Sequence, residues 1–143
     1  MKNLRKLFLL TILTIFVLSL TGCGDTKVEL NNYITIDVGG YDSRGIATYS
    51  FDYDSFEKDY EGKIKVDPDC QYSALGRMMG KSSPELLLLV CVSQSLDKTS
   101  GLSNGDTITL KWDCKDGWAS QYYNCDLVYS DIRYTVYGLQ EED

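Results

Sequence analysis

Length, composition and charge limit what this protein can be. The chain has 143 residues, a formal net charge of −7 and no histidine. An acidic chain repels phosphate backbones, which disfavours nucleic-acid binding. The absence of histidine removes the commonest general base, the usual zinc ligand and every Ser-His or Cys-His nucleophile pair.

Residues 1–22 have the pattern of a lipoprotein signal peptide. Three basic residues among the first six precede an apolar run of 14 residues, LFLLTILTIFVLSL. This order is typical of secretion, and the run is shorter than the about 20 residues that span a bilayer. The following Leu20-Thr21-Gly22-Cys23 resembles the bacterial lipobox, in which the cysteine receives a diacylglyceryl lipid. We therefore expect cleavage before Cys23 and lipidation of that residue.

The anchor determines the expected location. Two acyl chains hold a protein stably on a membrane, so attachment needs no partner protein. We expect the outer, extracytoplasmic face of the cell membrane. Cleavage leaves 121 residues, a single-domain length, and shifts the formal net charge to −10 because three bases and no acid are removed. Residues 23–27 form a short tether, and 28–143 one extracellular β-rich domain.

Two strands open the domain. Residues 33–38 alternate apolar and polar side chains, which predicts a half-buried strand. A turn around Gly39-Gly40 and Asp42 leads to a returning strand over 46–52, and the two strands predict a β-hairpin. The residues predicted to face inward are Ile34, Ile36, Val38, Ala47, Tyr49 and Phe51.

Helix signals follow the hairpin. Asp54 and Glu57 have the spacing of a capping box, which predicts a short helix over 55–60. A brief strand is predicted over 64–66. Ser83-Pro84-Glu85 reads as an N-cap, an N1 proline and a first-turn acid, which predicts a helix through about Leu96. The run LLLLVCV is apolar on nearly every side, so a buried strand is the alternative.

The C-terminal part is again β-rich. Asn104-Gly105-Asp106 predicts a turn before a strand over 107–114, and Asp116 is a candidate cap for a short helix to Asn124. A last strand is predicted over 127–139. The expected fold is α+β: a small, mainly antiparallel, β-sandwich-like domain with two or three short helices. The inward residues of the two strands are Ile108, Leu110, Trp112, Cys114, Val128, Ile132, Tyr134 and Val136.

Several of these segments together resemble a known kind of module. YITIDVGGYDSRGIATYSFD over 33–52 resembles the strand, Gly-Tyr-Asp, Gly-x-Ala, strand unit of Gram-positive surface lipoproteins and membrane-tethered proteins. Residues 102–106 (LSNGD), 111–114 (KWDC) and 129–139 (YSDIRYTVYGL) are similar to its second half. The resemblance implies a cell-surface location and a β-rich fold, and it brings no active site.

Four cysteines remain when Cys23 is lipidated: Cys70, Cys91, Cys114 and Cys125. An even count in an exported domain favours two disulfides, for which three pairings exist. A four-thiolate zinc site is the first alternative, but the spacings contain no C-x-x-C knuckle. Free, buried thiols are the second. We expect no metal and no cofactor.

Acidic pairs and loop aromatics are the remaining candidates for function. Asp52/Asp54 and Asp67/Asp69 lack the ligand string of a calcium loop and are interpreted as solvated turn carboxylates. Paired carboxylates for glycoside hydrolysis stay an alternative, because their separation is set by the fold. Aromatic rings in or beside loops, by contrast, suit contact with sugars or with a protein. The candidate binding surface is Tyr41, Arg44, Trp118, Tyr122 and Tyr123.

These observations predict a membrane-anchored cell-envelope lipoprotein that acts as a non-catalytic binding or structural module. Its expected partners are the membrane, through the lipid on Cys23, and an envelope protein or a cell-wall glycan. The alternative is a small carboxylate-dependent envelope enzyme of the glycan hydrolase type. No nucleophile motif is complete, since the Ser-x-x-Lys tetrads at Ser55 and Ser95 lack their companion motifs.

Overall fold

Strands and helices intermingle along the chain, and the predicted α+β class is confirmed. The computed structural model of the protein describes residues 25–141, so the predicted signal peptide and Cys23 lie outside the described residues. Four α-helices and a 3-10 turn, Asn31–Tyr33, join the strands there. The helices are α1 (Tyr53–Tyr60), α2 (Gln71–Met79), α3 (Ser83–Cys91) and α4 (Asp116–Tyr123).

Eight strands form three small sheets in residues 25–141. Two sheets are antiparallel and three-stranded, with orders β2-β3-β5 and β4-β6-β8. The third is a parallel pair, β1-β7. The strands are β1 (Thr26–Glu29), β2 (Ile34–Gly39), β3 (Gly45–Phe51), β4 (Val92–Leu96), β5 (Ser100–Leu102), β6 (Thr107–Cys114), β7 (Cys125–Val128) and β8 (Ile132–Thr135).

The two antiparallel sheets bury side chains in one shared cluster, which gives the predicted sandwich-like arrangement. Ala47 of β3, Leu102 of β5 and Ile108 of β6 meet there with Val136 and Leu139. Alternation along the strands puts Ala47 and Ile108 on the inner faces of β3 and β6, whereas Val136 and Leu139 lie in the segment that follows β8. We call this group the sheet cluster.

A second cluster lies among the helices and the parallel strand pair. Phe56 of α1, Leu87 of α3 and Tyr123 of α4 are buried there together with Val28 of β1. Strand β1 brings Thr26 and Lys27 into the fold, so two residues predicted to belong to the tether are part of a strand. We call this group the helix cluster.

The predicted hairpin is confirmed, with two corrections to its facing residues. Tyr49 was predicted to be buried, but it is 36% exposed, because it lies between the two clusters. Its hydroxyl donates a 2.9 Å hydrogen bond to the carbonyl of Gln94, which links β3 to β4. Tyr33 is not among the residues predicted to face inward, yet it ends the 3-10 turn and packs against Phe51 and Phe56.

Several helix boundaries differ from the prediction. The N-cap of α3 is Ser82 and not Ser83, and that of α4 is Lys115 and not Asp116. The side chain of Asp52, and not Asp54, caps α1 by accepting a hydrogen bond from the Ser55 amide. The predicted helix from Ser83 to Leu96 is wrong at its end, because α3 stops at Cys91. The next five residues alternate in burial and pair with β6 as strand β4. Pairing with β6 therefore makes Val92–Leu96 a strand, whereas residues 86–91 of the apolar run remain helical.

The remaining differences concern short elements. The strand predicted over 64–66 is wrong, although Ile64 is buried in the helix cluster. Helix α2 and strand β5 were not predicted. The single last strand over 127–139 is wrong, because the chain leaves β7 after Val128 and β8 covers only Ile132–Thr135. Val128 is exposed, whereas Val136 is fully buried as predicted.

Candidate functional site

The turn between β2 and β3 presents Tyr41 on a fixed backbone. Tyr41 is 48% exposed, and its backbone bridges to Gln140. The Arg44 amide donates to the Tyr41 carbonyl at 2.9 Å. The carboxylate of Asp42 accepts a 2.7 Å hydrogen bond from the Asn104 amide. Contacts with two other loops therefore fix the backbone of this turn, and the Tyr41 ring is partly exposed to solvent.

Helix α4 carries a second aromatic group, which meets α2. The rings of Tyr72, Trp118 and Tyr122 lie with centroids 5.4 to 6.4 Å apart. The ammonium of Lys115 lies over the Trp118 ring, 4.3 Å from its centroid, a favourable cation–π distance. Trp118 is 39% exposed and Tyr122 is half-buried. We call Tyr72, Trp118 and Tyr122 the aromatic group.

Tyr123 was predicted to belong to the binding surface, and this prediction is wrong. Its side chain is fully buried in the helix cluster, and its hydroxyl donates to the Leu86 carbonyl at 3.5 Å. The buried face of α4 consists of Ala119 and Tyr123, one turn apart. Trp118 precedes Ala119, and Tyr122 precedes Tyr123, by one position. One position is a rotation of about 100° around the helix, so these two side chains reach the surface.

The predicted aromatic surface is two separate patches. Tyr41 lies in the turn beyond the sheet-cluster end of β2, whereas Trp118 lies on a helix of the helix cluster. Strand β2 runs from one cluster to the other over six residues, or about 20 Å. The candidate residues around Tyr41 and those around Trp118 therefore offer two independent contacts.

An apolar groove between α1, α3 and β4 was not predicted. Its volume is about 300 Å³. Phe51 and Leu88 are buried in its floor, while Tyr53 (59% exposed) and Leu89 (56% exposed) stand at its edge. Leu89 belongs to the run LLLLVCV, in which no periodicity marks an outward residue. The groove residues are Phe51, Tyr53, Lys81, Glu85, Leu88, Leu89, Val92 and Gln94.

Glu85 is the only carboxylate among the residues that line this groove. Its side chain accepts a hydrogen bond from the Ser82 amide and pairs with the Lys81 ammonium at 2.9 Å. The hydrogen bond from the Ser82 amide has the largest effect, followed by that from Lys81, and both hold the pKa of Glu85 below its usual range. Glu85 is thus ionised at neutral pH, the opposite of what a general acid requires.

Lys81 also lines a second groove of about 330 Å³ beside α2. Arg77 contributes a second cation there, and its guanidinium donates to the Ser73 hydroxyl at 2.7 Å. Gly76 of α2 lies close to α3, because a Cβ there would come within 2.9 Å of the Leu86 side chain. Lys81 therefore lies between the two grooves. The first is lined mainly by apolar side chains, and the second adds the cation of Arg77.

Asp52 and Asp54 lie at the start of α1, as its N-cap and in its first turn, and Asp67 and Asp69 lie in the loop before α2. Asp52 caps α1, and the Asp67 carboxylate accepts a hydrogen bond from the Asp69 amide at 2.9 Å. All four carboxylates, including that of Asp54, are exposed. In residues 25–141 no group of three or more acidic or cysteine side chains is arranged to hold a metal ion.

The four cysteines of the described region are thiols, and three of them, Cys91, Cys114 and Cys125, lie in or beside the helix cluster. Cys91 and Cys125 are buried, and Cys70 and Cys114 are half-buried. Burial raises the pKa of Cys91 to about 11 and the pKa values of Cys114 and Cys125 to about 12. These thiols therefore stay protonated and poorly nucleophilic near neutral pH. The disulfides expected from the sequence stay a prediction, and Cys23 lies outside the described residues.

Comparison with protein-family models, curated proteins and solved structures found no match to this chain. None of the helices in residues 25–141 is long and apolar enough to cross a membrane.

Proposed function

We propose that this protein is a cell-envelope lipoprotein, anchored through lipid on Cys23 to the outer face of the membrane, whose domain binds a partner without catalysis. The basic start, the short apolar run and the lipobox-like Leu20-Thr21-Gly22-Cys23 support the anchor. An envelope protein or a cell-wall glycan is the partner class that fits this location.

The observation that carries the binding proposal is the apolar groove. Large exposed apolar side chains beside a concave apolar floor are typical of ligand sites. Tyr53 and Leu89 stand on opposite elements, α1 and α3, so a bound apolar group would contact both. The Phe51 and Tyr53 rings lie 5.0 Å apart and extend this surface. An apolar or aromatic portion of the partner is the chemistry that this groove accepts.

The chemistry at the groove favours binding over turnover. A carboxylate-dependent glycan hydrolase needs two carboxyl groups across the scissile bond, one of them with a raised pKa. The groove residues include one, Glu85, and its pKa is lowered. Glu85 is also engaged in the capping box of α3 and in the ion pair with Lys81.

The anchor is tested by intact-mass analysis of the mature protein from its own cells. We expect an N-terminal diacylglyceryl-modified Cys23, and we expect Cys23→Ala to leave the protein without lipid and outside the detergent-rich phase. Cys70→Ala is the matched control and should partition as the unchanged protein does. An unmodified residue 23 in the mature protein would contradict the anchor.

The groove is tested by a photo-crosslinking amino acid placed at position 53 or 89 in intact cells. We expect a defined adduct with an envelope protein or glycan from both positions. Tyr137 is the control position, since it is 69% exposed and lies outside the groove. Equal adducts from all three positions would argue against the groove. Release of fragments from purified cell wall, lost on changing one carboxylate, would replace binding with hydrolysis.

A further inference from the structure

The described chain begins beside α4. The Ser120 hydroxyl donates to the Asp25 carboxylate at 3.4 Å, and the Thr26 amide donates to the Asn124 carbonyl at 3.2 Å. Asn124 is the residue that ends α4. Cys23 lies two positions before Asp25, with only Gly24 between them, a distance of at most about 7 Å along an extended chain. A lipid on Cys23 therefore brings the bilayer surface close to α4.

The exposed side of α4 carries Trp118 and Tyr122, the two members of the aromatic group that belong to this helix. Ser120 and Trp118 lie on opposite flanks of this side, with Gly117 and Gln121 between them. The flanks are separated by the width of one helix, about 10 Å. A membrane that reaches Asp25 can therefore also reach Trp118 and Tyr122.

We propose that the bilayer itself is the partner of this face, with Trp118, Tyr122 and Lys115 resting among the lipid headgroups. The proposal depends on the lipid anchor proposed above. Trp and Tyr favour the membrane–water interface, because an apolar ring and a polar tip suit that boundary. Lys115 lies over the Trp118 ring and adds a cation toward anionic headgroups.

Three acids lie near this face: Asp67, whose amide donates to the Tyr122 carbonyl, is exposed, and the other two accept hydrogen bonds within the protein. Asp116 accepts a 2.8 Å hydrogen bond from the Tyr129 hydroxyl, and Asp25 accepts from Ser120. Lys63 lies at the same end of the domain, since its carbonyl accepts from the Thr26 hydroxyl. The acidic remainder of the chain is repelled by anionic lipid, so contact through this face is the favoured orientation. Tyr41, at the other end of β2, then points away from the membrane.

The test uses the full, lipid-anchored protein in vesicles of phosphatidylglycerol and phosphatidylethanolamine that carry brominated acyl chains. The chain has two tryptophans, so Trp112→Phe leaves Trp118 as the only one. We expect bromine to reduce Trp118 emission about twofold, with a blue shift, because the ring sits at the interface. The matched variant Trp118→Phe leaves Trp112 of β6, which packs against Tyr129 and whose indole donates to the Ser130 carbonyl. Its emission should be reduced clearly less than that of Trp118.

The possible outcomes distinguish failure of the membrane contact from failure of the lipid anchor. Mass analysis of the same preparation reports the lipid on Cys23. If the lipid is present and Trp118 emission is unaffected by bromine, the anchor stands and the contact is overturned. If Cys23 carries no lipid, the anchor is wrong and the inference falls with it. Quenching of both tryptophans to the same extent would also overturn it, because the orientation would then be random.

Discussion

The side-chain amide of Asn104 binds both backbone groups of Leu139. Its Nδ2 donates to the Leu139 carbonyl at 3.1 Å, and its Oδ1 accepts from the Leu139 amide at 3.0 Å. The amide thereby acts like a short piece of paired strand. Asn31 makes the same pair of bonds with the backbone of Ser130, at 2.8 and 3.1 Å. Two asparagines thus fix the C-terminal part of the chain at places where no strand pairs with it.

Replacing Asn104 by Ala should destabilise the domain. Two hydrogen bonds disappear and the partly buried backbone of Leu139 loses its partners, which together should cost about 1–3 kcal/mol. Chemical unfolding of Asn104→Ala measures this loss. Asn32→Ala is the control, because Asn32 is exposed, and it should change stability little. Equal stability of both variants would show that water replaces the amide at Leu139.

Gly45→Ala should be more damaging than Gly39→Ala. A Cβ at position 45 would lie 2.6 Å from Cδ1 of Leu139 and 3.0 Å from the Leu102 carbonyl oxygen. The side chain of Leu139 can shift, but the backbone of β5 resists, so overpacking should cost about 1–3 kcal/mol. At Gly39 nothing lies within 4 Å of the added atom. Thermal unfolding compares the two variants, and Gly45→Ala should have the lower melting temperature. Similar melting temperatures would contradict the close packing of Gly45.

The reduced domain should lose stability as the pH rises above about 9. The thiol pKa is about 11 for Cys91 and about 12 for Cys114 and Cys125, raised by burial from 9.0. The folded state therefore holds protons that the unfolded state releases. This contribution is fully present below about pH 9 and is lost as the pH rises through 11–12.

Unfolding free energies measured under reductant between pH 7 and 11 test this dependence. We expect Cys125→Ala to be less stable at neutral pH and less sensitive to alkali than the unchanged protein. A difference between the two proteins that is independent of pH would contradict the role of the thiol. The hydroxyl of Tyr123 adds to the same trend, since burial also raises its pKa.

The exported protein should contain disulfides among its four remaining cysteines. In the chain-entropy model each closed loop contributes about 3–4 kcal/mol, so reduction should lower the melting temperature clearly. Thiol titration of the denatured, unreduced protein gives the number of free thiols, and therefore the number of disulfides. Finding four free thiols would favour the alternative of buried, unpaired cysteines, as the described structure has them.

Local patterns were enough for elements whose partners lie nearby in sequence. Strands β2, β3 and β6 follow from alternation, because one face of each is buried and a period of two is visible in the residues themselves. The beginning of α3 follows from Ser83-Pro84-Glu85, although the cap itself is Ser82, which forms the capping box with Glu85 in place of the predicted Ser83. The α+β class was therefore predictable, although the exact cap residues were displaced by one or two positions.

Other features were decided by the tertiary structure alone, because each depends on contacts between segments that are distant in the sequence. Val92–Leu96 became a strand through its pairing with β6, and Tyr49 is exposed because it lies between two clusters that a single strand spans. The groove required α1, α3 and β4 to meet, which left Leu89 of a wholly apolar run at its edge. The sequence determined that Trp118, Tyr122 and Tyr123 are ring-bearing side chains near one another. Only the packing of α4 buried Tyr123 and placed the other two at the surface beside the start of the domain.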